Sequence, residues 1–215
     1  MEHNKLFIVF LLLTVYLLTI NKKLFTVTFL FLISFLLYLN NKVKLSLTFL
    51  VIYLLTLTIN KKVVITTHRS PDGDAIGSSL GLYHVLKSKG LDVSVVVPNA
   101  YPDFLKWMPA EDVVVDFEKN RAAAESLIYA AELLFCLDYN AIHRTGDVKG
   151  SIEAFKGVSI MIDHHPQPDD YATYLLSDTS ASSTAQLVYE FVSSLGWEDS
   201  IDDVVGQCLY AGIVT

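Results

Sequence analysis

Glycine, proline, alanine, aspartate, glutamate and arginine are all absent between Asn4 and Lys62. Only nine residue types occur there: Asn, Lys, Leu, Phe, Ile, Val, Thr, Tyr and Ser. That poverty excludes an ordinary globular domain for the stretch, and the full alphabet returns from Val63 onward. Cysteine is scarce too. The two in the chain, Cys136 and Cys208, are far apart and lie in apolar runs. This excludes a disulfide framework and a cysteine-based zinc site, and leaves two buried free thiols. Basic residues are thin where they would matter for nucleic acid. Residues 63–215 hold 9 Lys and Arg against 22 Asp and Glu, a formal charge of −13. So acidic a segment cannot grip long nucleic acid through its phosphates, which takes clusters of Lys and Arg. If it handles phosphate, bound metal must bring the positive charge. No Ser or Cys nucleophile signature is present either.

The division is therefore residues 1–62, an apolar low-complexity segment, and residues 63–215, a compact domain. Three apolar runs, Leu6–Ile20, Leu24–Leu39 and Leu45–Ile59, are separated by short Asn- and Lys-rich breaks. Each is shorter than the roughly 20 residues a helix needs to cross a bilayer core, although Lys and Asn at the ends could extend thin spans. Under a membrane-anchor reading through residues 6–59, the lysine distribution puts the domain in the cytoplasm. A signal peptide does not fit, because no small-residue cleavage site follows the first run. The segments also half-repeat, as translated AT-rich non-coding DNA would, so a mis-called start or a chimeric gene model stands beside the anchor.

Residues 63–215 alternate strand and helix, which predicts an α/β fold with a mostly parallel sheet and helices on both faces. Strands are expected at Val63–Thr67, Val93–Val97, Val113–Val115, Leu133–Leu137 and Val158–Ile162. Helices are expected at Ile76–Lys89, Arg121–Ala131 and Ser182–Leu195, with a last one starting near Ser200 or Ile201 behind an Asp199 or Ser200 cap. His68, Asp72 and Asp74 then fall in the loop after the first strand. Asp138 follows Leu133–Leu137, and Asp163, His164 and His165 follow Val158–Ile162. In an open parallel sheet the carboxyl ends of the strands share one rim, where ligands bind. Four carboxylates and three imidazoles on one rim repel and desolvate one another unless a cation joins them. Oxygen and nitrogen ligands favour Mn²⁺, with Mg²⁺, Fe²⁺ or Co²⁺ as alternatives, and the ligand count suits two ions. Gly73 is expected to let Asp72 and Asp74 turn toward one centre, and Pro71 to stiffen the loop.

His68-Arg-Ser-Pro-Asp72-Gly-Asp74-Ala-Ile-Gly-Ser, Asp138 in Cys-Leu-Asp-Tyr-Asn, and Asp163-His164-His165 resemble, in order, the first three motifs of the DHH phosphoesterases. Leu209-Tyr-Ala-Gly-Ile-Val-Thr215 resembles the start of the fourth. The compact Asp163-His-His-Pro-Gln segment is most similar to the bacterial branch of bifunctional oligoribonucleases and adenosine 3′,5′-bisphosphate phosphatases. This resemblance implies that His68, Asp72 and Asp138 bind one metal and that Asp74, Asp138 and His164 bind the other. It further implies that His165 faces the substrate phosphate and that Asp163 orients its neighbours. The implied substrates are short RNA oligomers and a nucleotide bisphosphate, with no role for long duplexes. Asn140, Arg144, Ser182 and Ser183 are candidate substrate contacts, while His84 and His143 read as structural or exposed. Tyr101, Phe104 and Trp107 read as core or lid packing, with Tyr101 and Trp107 able to stack on a base. A membrane-tethered cyclic dinucleotide phosphodiesterase and a non-catalytic nucleotide- or metal-binding protein are the rival readings.

The family's fourth motif continues with an Asp that completes the second metal site, and its C-terminal substrate-binding domain follows. The resemblance therefore implies that this sequence is a fragment with a weakened second metal site. A manganese titration of residues 63–215 alone is expected to show one tight site; two tight sites would overturn that expectation.

Overall fold

The computed structural model describes residues 62–215; the apolar segment and the anchor or mis-called start read from it lie outside the described residues. Six strands form one sheet: β1 Lys62–Thr66, β2 Asp92–Val97, β3 Val114–Asp116, β4 Leu133–Leu137, β5 Val158–Asp163 and β6 Tyr174–Ser177. Their order is β3-β2-β1-β4-β5-β6, and every pairing is parallel. The helices are α1 Gly73–Ser88, α2 Arg121–Ala130, α3 Lys149–Ala154, α4 Thr184–Ser194 and α5 Asp203–Val214. Among the described residues no helix is long and apolar enough to cross a membrane.

A sheet covered on both faces needs apolar side chains of both parities, and these strands supply them. On one face Val64, Val96, Leu134, Cys136 and Met161 pack with Ala124 and Ile128 of α2 and Ile152 of α3. On the other, α1 and α4 pack against the strands and α5 packs on both helices, with Phe191 of α4 edge-on to Phe135 of β4. Register keeps these rows aligned, since Ile65 pairs with Phe135 and Val64 with Leu134. Both cysteines are buried and free.

Several boundaries differ from the sequence expectation, each for a local reason. The first helix starts at Gly73, not Ile76, because the Asp72 carboxylate accepts from the Ala75 amide and caps it. Asp74 is thus in a helical turn rather than a loop, and Gly73 is helical too. What requires a glycine there is space: a Cβ would overlap the Thr215 side chain. The last helix starts at Asp203 behind Asp202, whose carboxylate accepts from the Val204 and Val205 amides, while Glu198–Ser200 forms a separate 3₁₀ turn. Helix α3 and strand β6 were not anticipated, being only 6 and 4 residues long. Phe104 and Trp107 are exposed rather than core, whereas Tyr101 donates to Glu111.

The strand order reverses direction between β1 and β4. Chain leaving β1 turns to one face and chain leaving β4 heads away from it, so a crevice opens above this pair. Helix α1 starts at that crevice and is buried almost all round through its first half, packed tightly along α5. A Cβ on Gly77 would come within 2.6 Å of the Cys208 carbonyl and 2.7 Å of the Gly212 amide. Alanine is a better helix former than glycine by about 1 kcal/mol. Overpacking against backbone that cannot give should outweigh this, so Gly77→Ala is expected to destabilise the domain by about 1–3 kcal/mol in urea unfolding. An unchanged or raised midpoint would show that the two helices can separate at little cost.

Candidate metal centre

Seven side chains from three neighbouring strands meet at the crevice. His68 is two residues beyond β1, Asp72 caps α1 and Asp74 lies in its first turn. Asp138 follows β4 directly, Asp163 is the last residue of β5, and His164 and His165 follow. All candidate metal and catalytic positions are therefore on one rim.

Asp138 is the common partner. His68 Nε2 lies 3.4 Å from one of its oxygens, Oδ2, and 3.7 Å from Asp72 Oδ1. His164 Nε2 lies 3.8 Å from the other oxygen, Oδ1, and His165 Nδ1 lies 3.6 Å from it. The Thr184 hydroxyl donates to the same Oδ1 at 2.9 Å. Asp138 is 1 % exposed and has φ 65°, in the left-handed region that few non-glycine residues adopt. Its amide still donates to the Ile162 carbonyl at 3.1 Å, so the sheet ladder reaches the residue before the chain turns. Strain of this kind persists only where surrounding bonds hold it.

The imidazoles are oriented for ligation. His68 Nδ1 faces the Arg69 carbonyl at 2.8 Å and His164 Nδ1 faces the Ala181 carbonyl at 3.4 Å. A backbone carbonyl accepts only from N–H, which puts the proton on Nδ1 and a lone pair on Nε2 in each neutral ring. Those lone pairs point toward Asp138. His165 is held by Asp163, whose oxygens accept from its ring Nδ1 at 2.8 Å and its amide at 3.0 Å. Asp74 is held from the opposite side. Its two oxygens accept from the Thr184 and Ala185 amides at 2.7 and 2.8 Å, at the start of α4, and Oδ2 is 3.7 Å from His164 Nε2.

Charge balance shows what this cluster lacks. Among the described residues no Lys or Arg pairs with Asp72, Asp74, Asp138 or Asp163. Protons are retained instead. Burial opposes a charged His68, but hydrogen bonds to Asp138 and Asp72 prevail and push it up to about 10. Burial, then the charge of Asp138, lift Asp74 to about 7 against the pull of the α4 amides. Burial also raises Asp163, although His165 draws it back. Hydrogen bonding to His68 lowers the largely exposed Asp72 to about 2. Neutral-imidazole lone pairs facing buried carboxylates fit a divalent cation, which would replace the retained protons. Two groups bring ligand atoms within 4.8 Å of one another: His68, Asp72 and Asp138, and Asp138, His164 and His165. Asp138 belongs to both. Asp74 belongs to neither, because the start of α4 engages its carboxylate.

The candidate substrate contacts divide. Asn140 Nδ2 donates to the Pro166 carbonyl at 2.8 Å, tying the β4 loop to the β5 loop. Arg144 Nη1 donates to Asn140 Oδ1 at 3.4 Å. The Ser183 hydroxyl caps α4 by accepting from the Gln186 amide, while Ser182 bonds the Gln186 side chain. Thr184 is what reaches Asp138. Its residue type does not distinguish it from the neighbouring serines; only the packing of α4 against the rim sets it apart.

A parallel α/β domain carrying a buried His/Asp cluster at its topological switch point is the class of protein this geometry defines. Residues 62–213 match the DHH family, N-terminal domain, and the chain belongs to that family. It is 36% identical over 153 residues to the bifunctional oligoribonuclease and PAP phosphatase NrnA of Thermus thermophilus, covering 71% of this chain and 42% of that protein. It is 28% identical over 156 residues to the protein of the same name from Bacillus subtilis, covering 71% of this chain and 45% of that one. A crystal structure of an exopolyphosphatase-related protein from Bacteroides fragilis superimposes with a TM-score of 0.71 at 42% identity, over 72% of this chain and 46% of that one. The chain thus spans less than half the length of these relatives. The branch that its motifs resemble is the one the named relatives represent.

The retained protons make metal-free stability depend on pH. The folded state binds more protons than the unfolded chain at Asp74 from about pH 4 to 7 and at His68 from about pH 6.5 to 10. The His68 contribution is complete below its unfolded value and disappears as pH rises through about 10. Both effects have one sign, so stability in a chelator should fall as pH rises from 5 to 9. Asp74→Asn should flatten the part below pH 7. Urea midpoints that rise over this range would contradict the assigned protonation.

Proposed function

We propose that this chain is the catalytic half of a metal-dependent phosphoester hydrolase acting on short oligoribonucleotides and adenosine 3′,5′-bisphosphate. The observation that carries this reading is the convergence of three imidazoles on one buried, left-handed Asp138, with which no Lys or Arg among the described residues pairs. The activities for which its relatives are named supply the substrate class. His68, Asp72 and Asp138 would hold one ion. Asp138 and His164, with Asp74 beside them, would hold the other. Mn²⁺ suits these donors best, with Mg²⁺ or Co²⁺ as alternatives. Bound there, such ions supply Lewis acidity at phosphoryl oxygens and make water a nucleophile at neutral pH.

The protein's own groups have distinct tasks. Asp163, buried under His165, accepts from Nδ1–H and so presents the Nε2 edge of that ring away from Asp163. That edge carries a lone pair in the neutral ring and, once protonated, can donate to a phosphoryl oxygen or protonate the leaving oxygen. Thr184 and the start of α4 hold Asp138 and Asp74 apart, keeping both carboxylates pre-oriented. Asn140 and Arg144 stand at the edge of the crevice as donors for substrate, and Ser182 and Ser183 begin the opposite wall. Few cations surround the site, so affinity for long polyanions is low and short substrates are favoured.

Removing a ligand should cost more than the 10- to 100-fold typical of outer groups that only orient one. Asp138→Ala is therefore expected to lower manganese-dependent hydrolysis of a diribonucleotide by more than about 100-fold. The parent and the variant are compared as the full chain. Equal rates for the two would end the metal-centre reading.

A further inference from the structure

The left-handed turn at Asp138 is held from outside the cluster. Pro166–Ala172, the segment beyond His165, folds back over the residues that follow Asp138. The Tyr171 hydroxyl donates to the Tyr139 carbonyl at 3.1 Å. The two tyrosine rings stack with centroids 5.9 Å apart and planes 3° from parallel. One residue further on, the Asp169 amide donates to the Asn140 carbonyl at 2.7 Å, and Asn140 Nδ2 donates to the Pro166 carbonyl. Tyr139 is fully buried, and its hydroxyl meets the Thr66 hydroxyl at 2.8 Å at the end of β1. Thr66 in turn donates to the Phe135 carbonyl, so the proton between the two hydroxyls belongs to Tyr139.

These contacts join the three strands that deliver the cluster. Strand β4 runs directly into Asp138, whose left-handed backbone aims the carboxylate at both His68 and His164. A non-glycine residue in that region carries a steric penalty. The Tyr139 carbonyl is one peptide beyond Asp138, so whatever fixes that carbonyl restricts the rotation that would let Asp138 relax. Tyr171 does this with a directional hydrogen bond and a parallel ring that blocks the tilting of Tyr139. Its hydroxyl bonds to the Tyr139 carbonyl and its ring stacks on Tyr139, one residue beyond Asp138.

We propose that Tyr171 is a positioning residue for the metal centre, acting through the Tyr139 carbonyl to keep Asp138 in its left-handed conformation. The proposal rests on the metal-centre reading above. The segment after the His-His pair is then more than a connection to β6: it couples the β5 loop to the β4 loop, so the two sets of ligands move as one. Outer groups that orient ligands typically contribute 10- to 100-fold to metal affinity.

Tyr171→Phe tests this, since it keeps the ring and removes only the hydroxyl. Thr173→Val is the control. Thr173 exchanges hydrogen bonds with Ser159 at 2.9–3.2 Å, near the far end of the same segment and away from Tyr139. Manganese binding is measured by calorimetry on the full chain, alongside thermal melting and the kcat and KM for a diribonucleotide. The expected result for Tyr171→Phe is a Kd for Mn²⁺ raised about 10-fold and a kcat lowered to match, with KM within about twofold. Thr173→Val should lower the melting temperature and leave the Kd unchanged. Unaltered manganese affinity in Tyr171→Phe overturns the proposal, as does an equal loss in both variants, which would mark a merely structural role. If the parent protein binds no manganese, the metal-centre reading fails first and this proposal with it.

Discussion

Everything at this site depends on one buried carboxylate facing two ways. The oxygens of Asp138 address His68 on one side and His164 and His165 on the other, and a residue in ordinary extended backbone would not aim at both. The left-handed turn makes that aim, and bonds from three directions hold it. The Ile162 carbonyl anchors the amide, Thr184 anchors the side chain, and Tyr171 anchors the following peptide. A residue engaged by so many elements belongs to none of them alone. The cluster is therefore a property of the assembled sheet, not of one loop.

The sheet explains why those elements are near one another. With strands ordered β3-β2-β1-β4-β5-β6 and all parallel, the carboxyl ends of β1, β4 and β5 are adjacent. The reversal of direction falls between β1 and β4, so the loops part there and leave room for a ligand. The close α1–α5 packing around Gly77 and Gly212 sets where α1 begins, and hence where Asp72 and Asp74 stand. Helix α4 completes the arrangement by presenting its first amides to Asp74. That contact makes Asp74 a cap for α4 while its Oδ2 stays 3.7 Å from His164 Nε2.

Charge completes the physical picture. The domain is strongly acidic, Arg69, Lys89, Lys119 and Arg121 pair with carboxylates elsewhere, and His68 and Asp74 of the cluster hold protons more tightly than free groups do. Divalent ions exchanged for those protons would change the sign of the local potential and draw phosphate to the crevice. The same acidity elsewhere on the domain disfavours long polyanions.

Much of this was legible in one dimension. Strand identities followed from short β-branched runs, and the placement of His68, Asp138 and His164 just beyond three of them was enough to predict a shared rim. Residue type and order also determined the family, because three motifs in sequence are far more specific than any one. Other features had no local signal. Strand β6 and helix α3 are too short for periodicity to show, and the cap at Asp202 competed with Asp199 and Ser200 on equal terms. Gly73 looked like a turn residue, yet its reason is contact with Thr215, well over a hundred residues away. Thr184 could not be told from Ser182 and Ser183 until α4 was packed against the rim. The sequence by itself determined which groups are available and at which strand ends they emerge, since those depend on residue type and local periodicity. Only the tertiary structure decided which oxygen faces which ring and what holds Asp138 in its strained turn, because those depend on contacts between elements distant in the chain.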